Sequence, residues 1–196
     1  MKILKISTKN FNKVVKEAAR FIKEGKIIIC PTDTVYGLIA DAKNEKAVRR
    51  IFKIKKREIK KPLPIFVKDF KMAQKIVKTD ERKMAFLRKI WPGKVTAILK
   101  AKNKKLSKGI IKDGKIGLRI QKHKFLVKLL KILNRPLAQT SANISGNPTP
   151  IDIKGILNQF KNKKFQPDFI IDSGKLSKKP SIVLDLTEES PKILRK

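Results

Sequence analysis

Residues 31–38 read Pro-Thr-Asp-Thr-Val-Tyr-Gly-Leu and follow directly on the apolar run Ile27-Ile28-Ile29-Cys30. A buried strand is expected to end there in a loop crowded with hydroxyls. A second cluster, Gln139-Thr140-Ser141-Ala142-Asn143-Ile144-Ser145-Gly146, follows the strand-like entry Pro136-Leu137-Ala138. Hydroxyls, amides and backbone N–H groups at strand ends fix the orientation of a polar ligand. Two such loops in a strongly basic chain point to a site for an anionic, hydrogen-bonding ligand.

Candidate cations stand elsewhere in the chain. Lys55-Lys56-Arg57, with Lys60-Lys61 close behind, ends one expected helix and precedes a strand. Cations gathered there suit phosphates, although a solvated basic helix end has the same composition. Arg119 sits inside Ile116-Gly117-Leu118-Arg119-Ile120, so it lies either on a wet face or buried against an anion. Ser181, between Pro180 and Ile182-Val183-Leu184, either places a hydroxyl at a strand mouth or merely starts the strand. Arg195 lies in the closing Ile193-Leu194-Arg195, where a frayed tail is the plain alternative. There is no Gly-x-Gly-x-x-Gly, no Gly-Lys-Ser/Thr phosphate loop and no Gly-x-Ser-x-Gly elbow. His123 is the one histidine. The pattern therefore suits orientation and electrostatic stabilisation better than covalent or histidine-based catalysis.

The elements that must carry these residues alternate. Met1 to Ile6 reads as an edge strand. Asn10 to Glu24 has Phe11, Val14, Val15, Ala18, Phe21 and Ile22 at helical spacing, and Gly25 closes it. Lys26 to Pro31 is the buried strand, and Asn44 to Lys55 a second helix. Leu63 to Val67 reads as a strand, and Asp69 to Val77 and Asp80 to Ile90 as helices with Asp N-caps. Val95 to Leu99 and Lys115 to Ile120 are strands, and the helix His123 to Leu133 follows. Pro136 to Thr140 feeds the second polar loop, and Asp152 to Phe160 is a short helix. Phe169 to Asp172, Ser181 to Leu186 and Lys192 to Arg195 are closing strands. This interleaving predicts an α/β class with a mixed sheet, organised as one domain over residues 1–196.

The chain carries 50 Lys+Arg against 16 Asp+Glu over 196 residues, a formal net charge of +34. That charge predicts affinity for nucleic acid or polyphosphate. It is spread from end to end, and Lys outnumbers Arg by 41 to 9, so a general field is expected more than bidentate reading. Genome-wide bias or life at high temperature would give a similar lysine excess, which makes the few arginines the more informative cations. Cys30 is the lone cysteine, so an intrachain disulfide is excluded and a reducing, cytoplasmic setting fits. Cys30 is expected to behave as a small hydrophobe in a strand, and His123 to start a helix rather than bind metal. The N-terminus alternates Lys with Ile and Leu without a long apolar stretch, so no signal peptide is expected, and no apolar run approaches the ~20 residues of a membrane span.

Several of these stretches together resemble a known family. They are Pro31 to Leu38, Lys55-x-Arg57 before Lys61-Pro62-Leu63, Pro92-Gly93-Lys94-Val95-Thr96, Arg119, and Ser141-Ala142-Asn143-x-Ser145-Gly146, in that order. In combination the chain resembles the YrdC/Sua5 family of threonylcarbamoyl-AMP synthases, from about Phe11 to Arg195. The resemblance implies a twisted, mixed open sheet with helices and a large concave basic cavity. It implies that L-threonine, bicarbonate or CO2, and ATP give threonylcarbamoyl-adenylate and pyrophosphate. Mg2+ would arrive through the ATP phosphates, with no metal held by the protein alone. A separate threonylcarbamoyl-transferase complex would then modify adenosine 37 of tRNAs that read ANN codons.

Carried over by position, Lys55, Arg57, Ser141, Asn143, Thr149 and Arg195 match family positions around ATP, with Lys55 and Arg57 acting in catalysis. Thr34, Arg119 and Ser181 match positions around threonine. Removing Lys55 or Arg57 is expected to subtract phosphate cations and little core. There are departures: Glu58 stands where Pro is usual, Lys61 where Asn is common, and Ile182 where Thr is usual. Phe66 stands where some members carry His near the threonine, and a lid is expected around Glu58 to Lys61. The alternative is a non-catalytic member of the fold that binds double-stranded RNA or tRNA through its basic surface. Retention of Lys55-x-Arg57 and Ser141-Ala142-Asn143 favours the enzyme.

Overall fold

The computed structural model describes residues 1–102, 106–176 and 180–195. The strands among them are β1 (Lys2–Lys5), β2 (Ile28–Cys30), β3 (Gly37–Asp41), β4 (Ile65–Val67), β5 (Val95–Lys100), β6 (Lys115–Ile120), β7 (Leu137–Ser141), β8 (Phe169–Asp172), β9 (Ile182–Asp185) and β10 (Lys192–Arg195). The helices are α1 (Phe11–Lys23), α2 (Glu45–Lys55), α3 (Phe70–Ile76), α4 (Glu81–Ile90), α5 (Lys124–Leu133) and α6 (Ile153–Phe160). All ten strands join one sheet in the order β1-β8-β2-β3-β7-β4-β6-β5-β9-β10. The sheet mixes parallel pairs (β1 with β8, β8 with β2, β4 with β6, β5 with β9) with antiparallel ones (β2 with β3, β3 with β7, β7 with β4, β6 with β5, β9 with β10). The expected mixed α/β sheet is what forms.

One strand escaped the sequence reading. Gly37–Asp41 is β3, central in the sheet and buried along its whole length. Both of its faces are covered, so it shows no polar/apolar alternation to mark it. Leu38 and Ala40 enter one core, and Ile39 the other.

The two faces of the sheet are covered differently. On one face, α2, α3, α4 and α6 contribute Val48, Ile51, Ala73, Leu87, Ile156 and Phe160 to the larger core. On the other, α1 and α5 lay Val15, Ala18, Ile22, Phe125, Leu126 and Leu129 over Ile28, Cys30, Ile39, Phe66, Leu137 and Phe169. That second layer serves β8, β2, β3 and their neighbours, and stops there. Strand positions further along the same face, including Thr96, Gly117, Arg119 and Gln139, line a cavity instead.

Helix entries follow the local chemistry. Asn44, Asp69, Asp80 and Asp152 each accept the N–H three residues on, at 2.7–3.0 Å. This is the usual way an N-cap satisfies one orphan donor. Cys30 is fully buried at the end of β2, and its thiol pKa is pushed up by burial, as suits an inert packing residue. Among the described residues no helix is long and apolar enough to cross a membrane.

Two substitutions test this packing. Leu129→Ala, at a position with no exposure, should lower unfolding free energy by about 2–5 kcal/mol in a denaturant titration. Gly109 has φ +86°, and a Cβ there would lie 2.6 Å from the Phe52 ring. Gly109→Ala should therefore also lower the melting temperature, through both backbone strain and steric conflict.

Candidate functional site

The pairing of β3 with β7 sets Gly37 opposite Ser141. The loop 31–36 ends where the loop 142–150 begins, so both polar clusters leave the sheet at the same place. A cavity of about 640 Å³ opens there over the uncovered sheet face. Its lining includes Thr34, Arg57, Arg119, Ser141, Thr149, Ser181 and Arg195. Lys55 and Asn143 line an adjoining cavity of about 260 Å³, which shares Arg57, Lys61 and Ser141 with the first. The nine candidate residues thus gather around two connected spaces, although they come from positions as far apart as 34 and 195.

Lys55 is built in more deeply than its sequence context suggested. It is 2% exposed. Its ammonium donates to Ser141 O at 2.7 Å, Asn143 O at 2.6 Å and Asn143 Oδ1 at 3.0 Å. Burial first, and the Arg57 charge second, pull its pKa down to about 7. Three oxygen acceptors match the donors of an ammonium and oppose that pull. Removing Lys55 would take one donor from each of these three oxygens, although Ser141 O still accepts from Asn143 N and Asn143 Oδ1 from Ser141 Oγ. The expectation that its loss leaves the fold untouched is therefore corrected, because the ammonium is built into the Ser141–Asn143 loop.

Asn143 completes the loop. Its Oδ1 accepts from Ser141 Oγ at 2.6 Å, and its Nδ2 donates to Ile144 O and Asn147 O at 3.0 and 2.7 Å. Gln159 of α6 buttresses it by accepting from Ile144 N and donating to Pro148 O. Arg57 donates to Lys61 O at 2.8 Å and Pro62 O at 3.2 Å. Those bonds fold the 57–62 loop around its guanidinium, whose pKa is lowered by burial and by the Arg195 charge. Glu58 pairs at 3.1 Å with Lys61, both largely exposed, so this departure leaves Arg57 facing the cavity.

Arg119, which lines the same cavity as Arg57, lies 2% exposed on β6. It donates through Nε to Gly93 O at 2.8 Å and through a terminal nitrogen to Thr34 Oγ1 at 3.4 Å, and it pairs with Asp33. Thr32 shapes this loop: its Oγ1 accepts from Thr34 N at 3.0 Å and donates to Val35 O at 2.6 Å. Burial lowers the Arg119 pKa, and Asp33 opposes that.

Ser181 and Arg195 meet directly. Arg195 donates to Ser181 O at 2.7 and 3.1 Å and to Ser181 Oγ at 3.1 Å. Thr96 Oγ1 lies 3.1 Å from the same Ser181 hydroxyl. Arg195 is thus part of the sheet edge and not a frayed tail. Phe66, 1% exposed, packs in the α1/α5 core beside its register partner Arg119.

Sequence reading missed Thr96, Gln139 and the pairing role of Asp33. Thr96 lay inside a quoted stretch, and alternation along β5 would have put it on the polar face. Nothing in the sequence signals that Asp33 reaches Arg119, because that contact depends on how the 31–36 loop folds across the sheet. Among the described residues no group of three or more His, Cys, Asp or Glu side chains could hold a metal ion.

A mixed open sheet, roofed by helices over part of one face and open beyond that part over a cavity lined by Arg57, Arg119 and Arg195, defines the class as an α/β protein with a cation-lined cavity at its loop ends. The family model for Sua5/YciO/YrdC, described as telomere recombination, matches residues 20–196, and the chain belongs to that family. It is 37% identical over 190 residues to the putative threonylcarbamoyl-AMP synthase of Methanocaldococcus jannaschii, covering 96% of this chain and 88% of the relative. It is also 37% identical over 185 residues to the threonylcarbamoyl-AMP synthase of Pyrococcus abyssi, covering 92% of this chain. Here it spans about half of the relative, 53%. The crystal structure of P. abyssi Sua5 complexed with L-threonine superposes with a TM-score of 0.85 at 33% identity, over 99% of this chain and 56% of that one.

His123 offers a direct probe of this geometry. Burial lowers its pKa below the ordinary 6.5, and the Asp33 charge opposes the shift. With the folded pKa below the unfolded one, its contribution to stability is complete above about 6.5 and is lost as pH falls toward the folded value. Asp33→Asn removes the opposing charge and should lower the imidazole pKa further. Proton NMR of this sole histidine reads that directly, and an unchanged or raised value would contradict the placement of Asp33.

Proposed function

We propose that this protein is an L-threonylcarbamoyladenylate synthase, joining L-threonine, bicarbonate or CO2, and ATP into threonylcarbamoyl-AMP with release of pyrophosphate. One observation carries the reading: Arg57, Ser141, Thr149, Arg119, Thr34, Ser181 and Arg195 converge on one cavity. The similarity to a relative solved with L-threonine supports the substrate.

In this reading the amine of threonine loses a proton and attacks CO2 to give a carbamate. A carbamate oxygen attacks the α-phosphorus of ATP, and the bond to the bridging β-phosphate oxygen breaks. Negative charge collects on the departing pyrophosphate, where fixed cations stabilise it. Arg57, with Lys60 and Lys61 beside it, is the group assigned to that task. Lys55 and Asn143 hold Ser141 and its loop in shape for the nucleotide, Thr149 adds a hydroxyl, and Arg195 takes a phosphate oxygen. Thr34, Arg119 and Ser181 orient threonine. The carboxylates on the cavity wall are Asp113 and Asp185, and Asp185 is engaged by Thr187 and Lys115. That donor set suits Mg2+ bound through ATP phosphates and water, where it would neutralise polyphosphate charge. The product then passes to a separate transferase complex that modifies tRNA, in the cytoplasm. The +34 charge supports salt-sensitive contact with tRNA on the way.

Pyrophosphate release tests this with ATP, Mg2+ and bicarbonate, with and without L-threonine, and with L-serine as control. Threonine-dependent release is expected. Release with L-serine in place of L-threonine points to another amine acceptor. No release, with salt-sensitive RNA binding intact, supports the non-catalytic binding protein instead.

Two variants refine the roles. Arg57→Ala should lower kcat by about a hundredfold while circular dichroism stays native. Ser181→Ala removes one of three Arg195 bonds and keeps the two to the backbone oxygen. It should therefore raise KM for threonine more than KM for ATP. Equal effects would remove the distinction between the two subsites.

A further inference from the structure

Asp33 has no role in the reaction as described, yet it is half of the most enclosed ion pair among the described residues. The side chains of Arg119 and Asp33 are 3% and 12% exposed. Asp33 does not line the cavity that holds Arg57 and Arg119. Its carboxylate approaches Arg119 from behind, on the side of a second hollow lined by His123, Lys122 and Ser173. The other carboxylate oxygen accepts from Lys122 N at 3.4 Å. Gly93, Thr34 and Asp33 each hold one N–H of Arg119. The remaining N–H groups, of the five a guanidinium carries, have no partner among the described residues, and Arg119 lines the cavity shared with Arg57.

We propose that Asp33 is the positioning and charge-balancing residue of the amino-acid subsite. It fixes the Arg119 guanidinium so that its free N–H edge meets the carboxylate of threonine, and it keeps that subsite from capturing polyphosphate. This rests on the synthase reading above. A buried guanidinium held on three sides cannot turn, so its free edge has one direction. The paired carboxylate also brings the local charge of the pair near zero. A zwitterionic amino acid, carrying one carboxylate, is still recognised by paired hydrogen bonds. A polyphosphate depends on summed positive charge and is drawn instead to Arg57, Lys60 and Lys61. One wall thus reads shape and hydrogen bonds, while the other reads charge, inside a single cavity.

The test is the threonine-dependent release assay on wild type, Asp33→Asn, Asp33→Glu, Arg119→Gln and the Asp33→Asn/Arg119→Gln double variant. Asp33→Asn should raise KM for threonine at least about tenfold, the scale of a charge-assisted hydrogen bond, with KM for ATP much less changed. In the same variant inorganic pyrophosphate should become competitive with threonine. Asp33→Glu should recover part of the loss. The double variant leaves no unpaired charge at the buried pair, and so it remains a test if Asp33→Asn alone does not fold. Its threonine KM should equal that of Arg119→Gln, because Asp33 acts through Arg119. A further loss in the double variant, or an Asp33→Asn enzyme with unchanged threonine KM, overturns this assignment and leaves the synthase reading standing. Absence of threonine-dependent release in the wild type overturns both.

Discussion

The site depends on the antiparallel register between β3 and β7, which sets Gly37 against Ser141. These strands are distant in sequence, and each is continuous with one polar loop. A slip of one residue would turn Ser141 and Gln139 onto the opposite face, where the larger core lies, because side chains alternate along a strand. The register is protected from both sides. Leu38 and Ala40 are buried in one core, and Ile39 and Leu137 in the other. Apolar packing on two faces thus decides where the hydroxyls and amides of the cavity stand, although none of the packed residues touches a ligand.

The cavity itself follows from where the helices stop. The α1/α5 layer covers β8, β2 and β3 and ends near Phe66 and Leu137. Beyond that limit the same sheet face carries Gly117, Thr96 and Gln139 in place of large apolar groups. Gly117 also sits in a close spot: a Cβ there would lie 3.0 Å from Pro64 Cβ, a tight contact. Arg119 marks the border, next to buried Phe66 in the register. A cation at the edge of an apolar layer must be compensated, and Asp33 supplies that from the loop folded across the sheet. The position of Phe66 follows from the same border: it belongs to the apolar layer, and Arg119 is the first polar residue past it.

Most helices and strands were legible because their patterns are local. The α1 spacing, the Asp69 and Asp80 caps and the closing strands need no knowledge of distant residues. The strand β3 was not legible, since a segment covered on both faces loses the alternation that marks a strand. Within the site, residue types were easier to read than depth. Arg57, Ser141 and Arg119 stood out as cations and hydroxyls beside strands. That Lys55 is caged, that Arg195 bonds Ser181, and that Asp33 backs Arg119 are tertiary facts. Each joins residues at least 14 positions apart, and no local pattern encodes them.

Lys55 shows why depth matters to chemistry. A cation meant only to attract phosphate would serve at the surface, where this chain has lysines in excess. Lys55 is instead held by three oxygens of the Ser141–Asn143 segment, and its neighbour two residues on, Arg57, faces the cavity. The division is physical. An ammonium with all donors engaged can set the shape of a loop and project a charge through it, but has no donor left for a ligand in this arrangement. A guanidinium held on its Nε side and one terminal nitrogen still offers further N–H groups. The Lys-x-Arg spacing at the C-terminal end of α2 thus gives one cation to the architecture and one to the cavity. Preorganised charge of this kind needs little rearrangement when an anion arrives, which is where electrostatic stabilisation gains most of its strength.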